Sequence, residues 1–259
     1  FPYTTLFRSV MKNRMEPSEV NVDILKSYIR NNFVVKSISV WLAKIKNRKK
    51  NLHLFRHAFT DSQTFFEGNN SIGENSIVRK CHIGLFSYIG NNNNFCKIFI
   101  GRFCSIGSNV NIIKGKHPST QFVSTHPLFF SNRSILGYKW ISMQKFKEFN
   151  PVDLDYDVKI GNDVWIGDNV SIAEGVRIGH GAIIGHDSVV IKDIEPYSIN
   201  VGIPSSLKKY RFEKDEVNYL LNFEWWNREL DWIHEHVDCF EDIKTFIGLT
   251  SNQDNYDEK

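Results

Sequence analysis

A hydrophobic period of six residues constrains this chain more than any other feature. Aliphatic side chains fall at Ile160, Ile166, Ile172, Ile178, Ile184 and Val190, six apart without a break, with Gly following at Gly161, Gly167, Gly179 and Gly185. A second small or aliphatic residue comes four positions after each: Val164, Val170, Val176, Ala182, Ser188 and Ile194. An upstream block repeats the pattern at Ile72, Val78, Ile83, Ile89, Phe95, Ile100, Ile106 and Ile112, with two steps of five among steps of six. There Gly73, Gly84, Gly90, Gly101 and Gly107 follow. This period fits neither a helix, which repeats every 3.6 residues or so, nor a meander with variable turns. It predicts short strands joined by tight corners, winding into a parallel β-helix of about 18 residues per coil. The aliphatics point inward, and Gly tolerates the close approach or the positive φ that a corner demands. The Asn91–Asn94 run suits corners, because Asn tolerates the left-handed region.

The rest of the composition narrows the function class. The chain has 259 residues, 41% hydrophobic and 24% charged, which excludes wholesale disorder. No stretch reaches the roughly 18–20 apolar residues of a membrane-spanning helix. A net charge of +3 is too small to point to nucleic acid as a partner. The charge is unevenly spread: residues 10–60 hold eleven Lys/Arg against three Asp/Glu, and residues 213–259 hold thirteen acids against four bases. Cys81, Cys96, Cys104 and Cys239 form neither a CxxC pair nor a dense disulfide pattern, so reduced thiols in a cytoplasmic protein are expected. The charged segment after Met11 lacks the apolar core of a signal peptide. Residues 1–9, FPYTTLFRS, contain no Met and resemble one frame of a sequencing adapter, so Met11 or Met15 is the expected start.

Residues 114–157 lose the period. A long irregular insertion in a regular solenoid tends to be functional. It carries His117 and His126, each followed by Pro, and then Phe129, Phe130, Tyr138 and Trp140. A segment that leaves and rejoins a coil can wall off a cleft.

The runs GRFCSIG (101–107), GKHP (115–118), IGNDVWIGDNVSI (160–172), IKDIEPYS (191–198) and GIPSS (202–206), with RFEKDEVNYLLNFEWWNRELDWI (211–233), carry a resemblance. The chain resembles the hexapeptide-repeat acyltransferases, in particular the xenobiotic-acetyltransferase subgroup. That subgroup includes type B chloramphenicol and streptogramin acetyltransferases beside sugar and polysaccharide O-acetyltransferases. The similarity spans about residues 68–240. It implies a left-handed parallel β-helix over residues 68–204, with the excursion at 114–157. A basic, partly helical segment at 10–67 precedes it, and a helical tail at 205–259 follows. It also implies a homotrimer with sites between subunits and acetyl-CoA as co-substrate, without a metal.

By the same resemblance, His117 matches the general base that takes the proton of an acceptor hydroxyl. Imidazole suits that task, since it titrates close to neutrality. His126 is the reserve, and with Phe129 and Trp140 is expected to face the acceptor. Trp165 lies beside the expected pantetheine arm of CoA, or else packs on the returning loop or a subunit neighbour. Asp168 and His186 match positions lining that arm, although relatives more often carry a small residue in place of His186. Lys192, Lys208, Lys209 and Arg211 are candidates for the CoA phosphates, Lys192 and Lys209 foremost. His180 and His186 are six apart, on adjacent faces of one coil, so they do not converge as zinc ligands would.

The loop sequence KHPSTQFVSTHPLFF is nearer to sugar and capsule O-acetyltransferases than to antibiotic enzymes. A hydroxyl of a sugar or surface-polysaccharide precursor is therefore the expected acceptor. Acetylation of chloramphenicol or a streptogramin is the alternative, and a non-catalytic β-helix assembly module the alternative of another class. The stretch 40–57 reads first as a solvated basic face leading into the β-helix, with a basic amphipathic helix in peripheral contact with anionic membranes as the alternative. The apolar positions Val217, Leu220, Leu221, Trp225, Leu230, Ile233 and Val237 predict a helical stripe that covers the last coil.

Overall fold

A computed structural model describes residues 33–133 and 137–257. The adapter-like residues and the first part of the basic segment lie outside the described residues. Short parallel strands stack into a β-helix whose faces are built of successive coils. One column of inward residues runs Ile72, Ile89, Ile106, Ile166 and Ile184, each directly paired with the next. A second joins Phe66, Ile83, Ile100, Ile160 and Ile178. A third face holds Val78 over Phe95 and, further on, Ile112, Ile172 and Val190. Almost all of these side chains are fully buried, and together they make one continuous core. A coil cannot bury its own inner face, so each depends on the coil above and below it.

The expected glycine role resolves into close approach rather than positive φ. A Cβ on Gly84 would lie 2.3 Å from the Gly101 carbonyl carbon, and one on Gly167 would lie 2.7 Å from the His186 amide nitrogen. The left-handed conformation falls two residues later, on Phe86 (φ 58°) and Asn169 (φ 60°) for these two corners. Within the Asn91–Asn94 run only Asn92 is left-handed, at φ 58°. Asn93 is buried and donates to the carbonyls of Gly90 and Gly107, while its Oδ1 accepts from the Val110 amide at 2.8 Å.

The residue after each of these glycines forms a second ladder on the outside. The amides of Glu74, Asn91, Ser108 and Asp168 donate in turn to Asn91 Oδ1, Ser108 Oγ, Asp168 Oδ1 and His186 Nδ1, at 2.7–3.0 Å. A parallel ladder runs from the Arg102 amide to Asn162 Oδ1 and from the Asn162 amide to His180 Nδ1. These bonds satisfy corner amides that the strands leave unpaired.

The winding begins earlier than the boundary at residue 68. Leu52–Leu54 already pairs in parallel with Asn70–Ile72, and Phe59–Thr60 with Ile77 and Val78. This first coil lacks the marker glycines and puts a buried threonine, Thr60, at an inward position, so the periodic signal fades there. Helix α1 (Phe33–Lys46) leads into it, with Ala43 and Asn47 buried and Lys46 Nζ donating to the Ser62 carbonyl at 2.9 Å.

At the other end, Ser198–Val201 pairs antiparallel with Ser206–Tyr210, which occupies the final sheet edge. Helices α2 (Lys214–Phe223), α3 (Leu230–Glu235) and α4 (Ile243–Asp257) then build a second small core in which Leu220, Phe223, Trp226, Cys239 and Phe246 join Tyr197 of the last coil. The tail covers the last coil at Tyr197, which is buried within the tail's core and meets Phe212 at 5.8 Å, and it extends beyond that coil. It docks along the flank of the coils, where Trp225 meets Phe103 at 4.9 Å and Trp226 stacks on His180 at 4.9 Å. Arg102 donates to the Trp226 carbonyl, and Arg211 pairs with Asp163 at 2.9 Å. Leu230 and Val237 of the predicted stripe are exposed, and Phe223 and Trp226 are buried instead.

The stacking distance yields a stability test. Gly84→Ala is expected to cost about 1–3 kcal/mol, because backbone rather than a flexible side chain must move. The readout is a lower urea midpoint at fixed protein concentration. Gly248→Ala, in a helix with open space around the added methyl, is the control and leaves the midpoint unchanged or higher.

Candidate active site

The excursion leaves the coil after Asn111–Ile113 and returns at Val158–Ile160, which pairs in register with Ile98–Ile100. Its two roots are tied together. Lys114 forms an ion pair with Asp157, and the Lys116 amide donates to the Glu148 carbonyl at 2.7 Å. The amides of Gly115 and Asn150 both donate to Glu174 Oε1 at 3.0 Å. Glu174 belongs to the coil beneath and is buried, so one carboxylate anchors both strands of the excursion.

The excursion also has a core of its own. Phe130 is fully buried and makes edge-to-face contacts with Phe122 and Phe146. Glu148 is buried beside it and binds Arg133 and Gln144. Burial pushes the Glu148 carboxyl up, but hydrogen bonds from Ser131, Gln144 and Arg133 outweigh it and hold the group below the usual carboxylate range. Phe122, Phe146, Glu148 and Glu174 are absent from the sequence-based candidates. Their partners are distant in sequence, and no local motif marks them.

His117 sits on the exposed side of this small core, edge-to-face with Phe130 at 5.8 Å. Its Nδ1 lies 2.7 Å from the Thr125 carbonyl oxygen. A carbonyl only accepts, so Nδ1 carries the proton and the neutral ring keeps its lone pair at Nε2. His126 has the opposite wiring. Its Nδ1 accepts from the Leu128 amide at 3.3 Å and caps the short 3-10 turn Pro127–Phe129. In the neutral ring the proton then sits at Nε2, which leaves no free basic nitrogen. Phe129 and Trp140 come together edge-to-face at 5.4 Å, and both are exposed.

The coil-borne candidates form a second group. Trp165 is exposed on its strand and approaches His186 edge-on at 6.3 Å. His186 receives the Asp168 amide at Nδ1, and this bond accounts for a histidine where a small residue was expected. Lys192 and Lys209 are both exposed, Lys209 on the antiparallel strand opposite Ile199. Among the described residues, no hydrogen bond or ring contact links His117 to Trp165, Asp168 or His186.

His180 and His186 stack over Asn162 and Asp168 on different faces, each as a hydrogen-bond acceptor. Among the described residues, no three His, Cys, Asp or Glu side chains gather to hold a metal. All four cysteines are free; burial pushes the Cys81 and Cys104 thiols up to about 12, so neither offers a ready thiolate.

Two measurements test this wiring. Glu174→Ala is expected to raise hydrogen exchange across residues 114–150 by roughly tenfold or more, since hydrogen bonds to a charged acceptor are worth about 1.5–3 kcal/mol. The coil amides keep their protection. The second concerns His180, whose burial holds its imidazole below the usual histidine range, with Glu224 opposing weakly. A depressed base binds a proton more readily when unfolded, so stability is full above the unfolded value of about 6.5 and falls as pH drops from there toward the folded value. Protection of the tail around Trp226 is expected to decline on acidification through that window. His180→Asn, which keeps an acceptor and cannot titrate there, removes that decline.

Residues 157–192 match the family described as bacterial transferase hexapeptide (six repeats). A 71-residue stretch is 36% identical to a probable macrolide acetyltransferase of Lysinibacillus sphaericus, covering 27% of this chain and 37% of that protein. A 42-residue stretch is 48% identical to a chloramphenicol acetyltransferase of Klebsiella aerogenes, covering 16% and 20%. The matched stretches thus span well under half of those relatives' lengths. A hexapeptide-repeat acetyltransferase of Vibrio cholerae O1 biovar eltor, solved with acetyl coenzyme A, aligns over 71% of this chain and 92% of its own, at 18% identity and a TM-score of 0.32. The six-residue period and the stacked coils make this chain a parallel β-helix, and residues 157–192 are similar to bacterial transferase hexapeptide repeats.

Proposed function

We propose that this protein transfers an acetyl group from acetyl-CoA to a hydroxyl of a sugar or surface-polysaccharide precursor, with His117 as general base. The observation that carries this reading is the His117 Nδ1–Thr125 carbonyl bond, which puts the proton of the neutral ring at Nδ1 and leaves Nε2 as the basic nitrogen. In the proposed step Nε2 takes the hydroxyl proton as the oxygen attacks the thioester carbonyl. The tetrahedral adduct collapses with cleavage of the carbon–sulfur bond, and the imidazolium returns its proton to the departing CoA sulfur. The proposed transfer is direct, without a covalent enzyme intermediate; the Cys81 and Cys104 thiols, pushed up to about 12 by burial, offer no ready thiolate for one.

Other features support the reading. Phe129 and Trp140 offer an exposed aromatic corner on the same excursion, suited to the apolar face of a sugar ring. Trp165, Asp168 and His186 would line the pantetheine arm, and Lys192 and Lys209 would meet the phosphates. Val123, Tyr138 and Met143 of the excursion are exposed apolar side chains, a surface suited to a neighbouring copy in a homotrimer with sites between subunits. Four free cysteines suit the reducing cytoplasm. The names of the macrolide and chloramphenicol relatives favour a second reading, in which the acceptor is an antibiotic hydroxyl.

The test is free-thiol release from acetyl-CoA across a panel of saccharides and antibiotics. His117→Ala is expected to lower kcat by about 10²–10⁴ while CoA binding, measured calorimetrically, stays intact. Equal turnover by variant and wild type would remove His117 from the proposal. Absence of CoA binding by the wild type would remove the transferase reading itself.

A further inference from the structure

Helix α1 turns its apolar side outward. Ala43 and Asn47 face the first coil and are buried, whereas Ile38, Trp41, Leu42 and Ile45 are exposed by 44–61%. Their spacing of i, i+3, i+4 and i+7 places them in one stripe. A helix at a protein surface ordinarily shows the reverse arrangement, and an exposed stripe of this kind marks an interaction surface.

The charge around the stripe selects the partner. Residues 33–60 contain seven Lys/Arg and no Asp or Glu. Arg48, Lys49 and Arg56 of this stretch are exposed beside the start of the β-helix. The acidic tail packs instead on later coils, at Phe103 and His180. The helix and its entry into the first coil are therefore basic and apolar, with Asp61 and Glu67 the acids of that coil, and the acidic tail packs on other coils. Two copies meeting symmetrically through the stripe would bring like charges together, which opposes that pairing. Apolar side chains including Trp, ringed by bases, match the boundary between acyl chains and anionic headgroups.

We propose that α1 seats the protein on anionic membrane surfaces, with Ile38, Trp41, Leu42 and Ile45 entering the headgroup boundary and Arg48 and Lys49 meeting lipid phosphates. The proposed contact is peripheral; no helix among the described residues is long and apolar enough to cross a membrane. It would place the proposed transferase beside acceptors displayed at a membrane, yet it stands without that activity.

The test is co-sedimentation of the full-length protein with vesicles of phosphatidylcholine, with and without phosphatidylserine. Wild type is expected to bind the phosphatidylserine vesicles, and raised salt to weaken that binding. Trp41→Ser combined with Ile45→Ser is expected to lower the partition coefficient about tenfold. Arg48→Glu with Lys49→Glu, which leaves the stripe intact, lowers it as well. Circular dichroism verifies that each variant is folded. Binding of the apolar variant at the wild-type level would overturn the proposal and leave the stripe to the chain's own upstream residues. Equal binding to neutral and anionic vesicles would overturn the electrostatic half. A loss of oligomer mass in the apolar variant, without vesicle binding by wild type, would assign the face to a second copy.

Discussion

Coil-to-coil contact so close that no Cβ fits between successive corners is the constraint on which this molecule depends. At Gly84 and Gly167 the neighbouring backbone already occupies the place of a side chain. That proximity brings corner amides within reach of the Asn, Ser, Asp or His of the adjacent coil. It also locks the register, because a slip of one residue would put a Cβ where only hydrogen fits and turn the aliphatic column outward. Thus Ile106 finds Ile166 although the whole excursion lies between them.

The excursion must accordingly leave and return at one level of the stack. Closing a long loop costs entropy that grows slowly with length, so a few contacts at its base suffice to define it. Those contacts are the Lys114–Asp157 pair and the shared acceptor Glu174. The aromatic cluster around Phe130 then stiffens the segment between its roots. A rigid scaffold thereby holds an irregular segment, the usual division of labour between framework and site.

What could be read from the chain follows from how local each signal is. The inward columns were visible because burial repeats with the backbone, and the excursion was visible as its interruption. The start at Leu52 was hidden because Thr60 and Thr64, rather than aliphatics, occupy buried positions there. The docking of the tail uses Phe103, a left-handed corner residue whose ring meets Trp225 and stacks on that of Phe86, another left-handed corner residue, at 5.5 Å. A phenylalanine at positive φ carries no periodic signature, so the flank it creates could not be anticipated. Glu148 and Glu174 escaped for a related reason: each is defined by amides or side chains that only the closed excursion brings near.

His117 and His126 show how little separates two histidines of similar sequence context. Both precede proline, both are exposed, and both use Nδ1 in a short-range hydrogen bond. The partner of His117 is a carbonyl and that of His126 is an amide. An amide donor claims the lone pair that a base needs, and a carbonyl acceptor claims the proton and leaves the opposite nitrogen basic. The distinction lies in whether Thr125 presents its oxygen or Leu128 its nitrogen, and therefore in the path of the backbone between Gly115 and Phe130. That path is held by the buried Phe130 and by the roots on Glu174. In the proposed reaction, the chemistry of one ring thus rests on a carboxylate and a phenyl group that need never touch the substrate.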